Sequence, residues 1–179
     1  MTDLVLLTAL LGGPAYGYAL KRTAGLIFGG GQLHNNLVYP LLKKFVESGW
    51  VEQKTVPGDR GQQRKQYRIT AAGRDYLIEQ IATFGEREAS NDGAFLFRVA
   101  MFDLLPDKKR KEIVSIRKAY LAARLSDLYK LEKAGKPQSF SGIVLEHFQD
   151  LVRDELKWIS GLEEPKGRST KKEERHASR

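Results

Sequence analysis

The 179-residue chain contains no cysteine, which excludes disulfides, thiolate metal sites and cysteine nucleophiles together. No apolar run approaches the ~20 residues that a membrane-spanning helix needs. The opening stretch MTDLVLLTALLGG has no basic region ahead of its apolar residues, and Asp3 is acidic. A signal peptide is therefore not expected, and a cytoplasmic location is. The histidines, His34, His147 and His176, fall in three different segments, none beside a Ser/Asp set of nucleophilic type. Gly29-Gly30-Gly31 has no Lys-Ser/Thr after it and no strand before it, so it is not a phosphate loop. Glu146, His147 and Asp150 stand on adjacent helix faces, an arrangement more often a solvated edge than a metal site. No enzyme, metal or cofactor is expected.

What is abundant is positive charge. Thirty Lys and Arg against twenty-two Asp and Glu give +8, and an apolar content of 41% is enough for a core. Such a balance suggests a polyanionic partner, nucleic acid before an anionic membrane surface.

LVLLTALL (4–11) predicts a short helix capped by Thr2 or Asp3, stopped by Gly12-Gly13-Pro14. AYGYALKRTAGLIF (15–28) predicts a second helix, GGGQ (29–32) a flexible break, and Asn35 to Ser48 a third helix closed by Gly49. Pro40 would then sit at the edge of that helix's first turn, where few donors are engaged. Leu37, Leu41, Leu42 and Phe45 have core spacing on it. After Gly49 the period changes to two: WVEQKTV (50–56) and RKQYRIT (64–70) flank PGDRGQQ, a hairpin with an extended loop, and Trp50 reads as core beneath it. Thr70 caps a further helix with an apolar face through Tyr76, Leu77, Ile81 and Phe84.

Three short helices and a basic hairpin make a winged helix-turn-helix. The fold class is mainly α with a small β-hairpin: a winged helix-turn-helix DNA-binding domain over 1–84, then a helical dimerisation domain over 85–164. GEREASNDG (85–93) reads as a polar hinge or loop and FLFRVAMFDLL (95–105) as an apolar segment ending at Pro106. A long helix over 107–134 and an amphipathic one over 143–164 carry more apolar surface than one hairpin hides, which argues for a second copy of the chain. Residues 165–179 form a basic tail expected to be disordered.

Residues 35–70 hold seven Lys/Arg against three acids, net +4. Lys43 and Lys44 lie on the third helix, and Arg60, Arg64 and Lys65 in or beside the hairpin loop, where a wing meets the DNA backbone. His34, Asn35 and Asn36 open the third helix. Short polar side chains there either cap it or read base edges in a major groove. Tyr39 either packs in the core or brings its hydroxyl to a phosphate. The rival to a DNA-binding regulator is a winged-helix protein-interaction module that does not bind DNA.

Three segments in order, GPAYGYALKR, VYPLLKKFVESGWVEQ and RKQYRITAAGRDYL, resemble the PadR family of bacterial transcriptional regulators. Gly13, Pro14, Gly17, Tyr18, Tyr39, Pro40, Leu42, Gly49, Arg64, Lys65, Tyr67, Thr70 and Gly73 stand at its motif positions. Phe45 replaces the usual leucine, and the Gly-rich LIFGGGQLHNN is not typical of the family. The second half is similar to the virulence-activator-type helical C-terminal domain of longer PadR-like proteins. The resemblance implies a homodimer on double-stranded DNA, with two recognition helices in successive major grooves of a roughly palindromic operator. It also implies a repressor, in some relatives released by a small-molecule effector. Phe95, Phe97, Phe102, Phe148 and Trp158 are the aromatics that would line an effector pocket, or pack a dimer core instead.

Overall fold

A computed structural model describes residues 1–27, 35–58, 62–134 and 139–162. The Gly-rich break at 29–32, His34, Arg60 and the tail 165–179 lie outside the described residues. The chain forms two compact units, residues 1–110 and 111–179.

The first unit is a winged helix. Its elements are α1 (Thr2–Ala9), β1 (Ala15–Tyr16), α2 (Gly17–Ile27), α3 (Asn35–Glu47), β2 (Val51–Pro57), β3 (Gln63–Ile69), α4 (Ala71–Ala82), α5 (Glu86–Ala89) and α6 (Asp92–Ala100). A 3-10 turn (Phe102–Leu104) and the start of α7 (Asp107–Ala134) close it. The sheet is antiparallel in the order β1-β3-β2, with Val51 opposite Ile69 and Pro57 opposite Gln63. The expected hairpin is thus present, and β1 adds a third strand, with Ala15 opposite Tyr67 and Tyr16 opposite Gln66. Residues 15 and 16 pair with β3 instead of opening the second helix, which begins at Gly17.

Apolar side chains from every helix of the tri-helical part meet in one core. Val5, Leu6 and Leu7 of α1, Leu20 of α2, Val38, Leu42 and Phe45 of α3, and Leu77 and Ile81 of α4 are buried. On α3 the buried stripe runs 38, 42, 45, and Leu37 is 43% exposed, contrary to its expected core place. The stripe lies one residue further along, because positions four and three apart share a helix face and Leu37 starts the neighbouring row. No side chain of Thr2 or Asp3 caps α1; Met1 occupies the N-cap and Asp3 lies in the first turn.

The exit from α3 follows from local chemistry. Gly49 has φ +71°, a left-handed conformation cheap only for glycine. The Trp50 N–H donates to the Phe45 carbonyl at 2.9 Å and the Gly49 N–H to that of Val46 at 3.0 Å, the two bonds of a Schellman ending. Trp50 then stacks on Tyr76 with ring centroids 3.6 Å apart. The Thr70 hydroxyl donates to the Gly49 carbonyl at 2.7 Å and accepts the Gly73 N–H at 3.0 Å. One side chain therefore caps α4 and fastens it to the end of α3. Gly73 has no alternative: a Cβ there would stand 2.0 Å from the Trp50 carbonyl oxygen.

Pro40 is the sixth residue of α3, in the second turn and not at the edge of the first. It removes the bond that would reach the Asn36 carbonyl, yet it is exposed and the helix continues through it.

The polar stretch 85–93, expected as a hinge or loop, holds α5 and the start of α6. Glu88 accepts the Gly85 N–H at 3.1 Å and Asn91 accepts the Ala94 N–H at 2.8 Å, so these residues cap α5 and α6. Arg98, buried on α6, donates to the Thr83 carbonyl at 2.8 and 3.2 Å and to Ala94 at 3.0 Å, under the Phe84 ring at 5.1 Å. Burial lowers its pKa.

The second unit pairs the body of α7 with α8 (Phe140–Ser160). The helix over 107–134 has its expected bounds, whereas α8 starts three residues earlier than expected, because Ser139 accepts the Gly142 N–H at 3.2 Å. Arg117, 0% exposed, donates through Nε and Nη2 to the two Glu155 oxygens at 2.8 and 2.7 Å. Gln149 donates to Glu132 at 3.0 Å. Bonds 117–155 and 132–149 together make an antiparallel hairpin. Val152 and Ile159 are buried on the inner face of α8, while Phe140, Ile143, Val144, Phe148, Leu151 and Trp158 form an exposed stripe beside it.

Candidate nucleic-acid interface

The face of α3 turned away from the core carries Tyr39, Pro40, Lys43 and Lys44, all exposed. Lys43 meets Glu47 one turn later at 3.7 Å, with both side chains largely in solvent. Such a pair contributes a few tenths of a kcal/mol and does not sequester the lysine. Asn35 and Asn36 are the first two residues of α3; their side chains lie outside the described set.

The wing brings in the second group of cations. Arg64 pairs with Val56 and Lys65 with Thr55 along β2–β3, so both project near the hairpin's distal end. The Gly58 N–H donates to the Gln62 carbonyl at 2.7 Å, closing the turn base. The Arg64 side chain folds across that turn, its Nε only 2.7 Å from where a Gly58 Cβ would be. Lys65 is exposed, as are Lys54 and Arg68 on the same ribbon.

Between the helices and the wing lies an open cleft of about 280 Å³. Tyr39, Arg64 and Lys65, three of the expected DNA contacts, line it together. Tyr16, Tyr18 and Tyr67 complete it with Gly17, and none of these was expected at the interface. Tyr16 and Tyr18 stack, centroids 5.8 Å apart and rings 7° from parallel. Burial raises the Tyr67 pKa, and the neighbouring Tyr39 adds to the rise. Its phenol therefore stays a proton donor at neutral pH.

The expected effector aromatics divide between the units. Phe95 and Phe97 are buried on α6, with Phe95 against Phe84 at 6.1 Å, and Phe102 is half-buried in the 3-10 turn. Phe148 and Trp158 belong to the exposed stripe of α8. Among the described residues no cluster of His, Asp and Glu could hold a metal ion, and no helix is long and apolar enough to cross a membrane.

A three-helix core with a two-stranded basic wing defines a winged-helix protein. Residues 6–79 match the model of the PadR-like family of transcriptional regulators. The match ends before α7 and α8. Similar solved structures include the candidate transcriptional regulator TA0346 of Thermoplasma acidophilum, 32% identical over 44% of this chain and 74% of that one, TM-score 0.41. A transcriptional regulator of Clostridium thermocellum is 22% identical over 44% and 76%, TM-score 0.40. Bacillus subtilis PadR in complex with operator DNA is 19% identical over 88% and 93%, TM-score 0.45. No curated protein matches the chain.

Proposed function

We propose that this chain is a dimeric, sequence-specific DNA-binding repressor of the cytoplasm, without catalytic activity. The first unit carries the DNA interface, and the exposed apolar stripe of α8 joins two copies. The observation that supports this best is the cationic surface shared by α3 and the wing, with Tyr39, Lys43, Lys44 and Lys65 all turned to solvent. Helix α3 enters the major groove with Asn35 and Asn36 foremost, beside His34, and the wing cations, Arg60 among them, neutralise flanking phosphates. Two copies address two half-sites of a near-palindrome and block a promoter sterically.

A small-molecule effector fits the same reading. It would change the angle between the two DNA-binding units and take their helices out of register with the half-sites. Phe95, Phe97, Phe102, Phe148 and Trp158 are the aromatics to probe for it.

Binding to genomic and random duplexes across a salt series tests the proposal. The expected result is a steep linear fall of log affinity with log salt and a genomic site preferred by about 4 kcal/mol or more. Absence of binding at ~50 mM salt would overturn it and favour a protein-interaction module.

A further inference from the structure

Tyr67 is 4% exposed, yet it lines the cleft between α2, α3 and the wing. No described residue hydrogen-bonds its hydroxyl. A buried phenol normally finds a partner, because leaving the group unpaired costs about 1–3 kcal/mol. Here the polar end opens into the cleft instead. Tyr39 is adjacent across that cleft and is likewise without a hydrogen-bond partner among the described residues. Lys65 stands at the rim, two residues along the same strand, and no carboxylate is among the lining residues. Hydroxyl donors and a cation, without an acid, select an anion.

The cleft is also held in shape. A Cβ on Gly17 would lie 2.9 Å from Cε1 of the Tyr39 ring, so α2 and α3 approach there as closely as glycine permits. The stacked rings of Tyr16 and Tyr18 give one apolar flank. About 280 Å³ of open space is small for a drug-sized ligand but ample for one sugar–phosphate link.

We infer that this cleft seats a single backbone phosphate of bound DNA, with the Tyr67 and Tyr39 hydroxyls donating to its non-bridging oxygens and Lys65 neutralising its charge. The inference rests on the DNA-binding reading above and adds to it a fixed point. One phosphate held between α3 and the wing sets how far α3 can slide along the groove. Tyr67 is thus a positioning contact that carries no sequence information.

The test uses the full chain, Tyr67→Phe and Lys65→Ala, on a selected genomic duplex and on duplexes with one methylphosphonate placed at each position in turn. Tyr67→Phe removes only the unpaired oxygen, so melting should be unchanged. Affinity should fall about tenfold on genomic and random duplexes alike, with the salt slope unaltered. Lys65→Ala should lower that slope by about 0.9, the share of one neutralised phosphate. Among the positions where a methylphosphonate weakens wild-type binding, one per half-site should lose its sensitivity in both variants while the others keep theirs. Wild-type affinity in Tyr67→Phe, or unchanged methylphosphonate sensitivity in both variants, would overturn the inference while leaving DNA binding intact. If ~10 mM inorganic phosphate protects the wild type but not Tyr67→Phe from thermal unfolding, and methylphosphonates have no effect, the cleft takes a free anion and the DNA assignment fails. A wild type that binds no duplex at ~50 mM salt would instead remove the reading on which the inference rests.

Discussion

The two units solve the burial problem differently. The first encloses its apolar residues: Val5, Leu6, Leu7, Val38, Leu42, Leu77 and Ile81 are all fully buried. The second has one buried seam, with a buried arginine within it, and leaves six large apolar side chains of α8 in solvent, Phe140 at 89%. A two-helix hairpin has too little interior for its apolar content, whereas three helices and a sheet can close around theirs. The first unit thus presents polar chemistry outward and the second hydrophobic area, which suits the DNA-binding and self-association roles proposed for them. Each unit also holds one of the two tryptophans, Trp50 and Trp158, so single-tryptophan variants report on them separately.

The hardest blow to the first unit is a side chain at Gly73. Gly73→Val forces a backbone clash with the Trp50 carbonyl and should cost about 4 kcal/mol, read from Trp50 fluorescence during urea unfolding. In the second unit, Arg117→Ala strands Glu155 and should cost about 3 kcal/mol. Replacing both partners, Arg117→Met with Glu155→Leu, should recover most of that loss. A double variant as unstable as the single one would mean the pair does more than fill a seam.

Phe148→Asp with Leu151→Asp sharpens the contrast more gently. These positions are exposed, so a single chain should lose no more than about 0.5 kcal/mol. The assembly, however, should shift from dimer to monomer in sedimentation, and Trp158 emission should move to the red. A dimer unaffected by both aspartates would place self-association elsewhere. The smallest expected effect is at alkaline pH. Burial raises the pKa of Tyr67 and Tyr76, whose ordinary value is 10.0. The stability tied to their neutral forms is whole below about pH 10 and is lost as pH climbs through the raised folded values. A pH series of melting points should show the first unit weakening there before the second.

Features written in local chemistry were legible in the sequence. Thr70 followed by Gly73 announces a capped helix, and Gly49 a left-handed helix end, because both act within a few residues. The winged-helix plan and the cations of its wing were readable for the same reason. Strand β1 was not, since two residues become a strand only by pairing with β3, fifty positions away. Its concealment hid Tyr16 and Tyr18 as well, although a glycine flanked by tyrosines was the visible signal. On α3, Leu37 and Val38 start rows that fit a helical stripe equally well, and tertiary packing chose the second. Residues 85–93 read as a hinge or loop because caps and loops draw on the same polar residues. The aromatic set proposed for an effector could not be sorted by sequence, which does not reveal that three members fall in one unit and two in the other.

Half-site spacing tells whether two winged-helix units act together on DNA, as proposed. Affinity of the full chain would be measured for its selected duplex and for versions with ~5 or ~10 base pairs inserted at the centre. A large loss is expected for five, which turns one half-site to the far face of the helix, and a partial return for ten. Equal affinity for all three duplexes would contradict it.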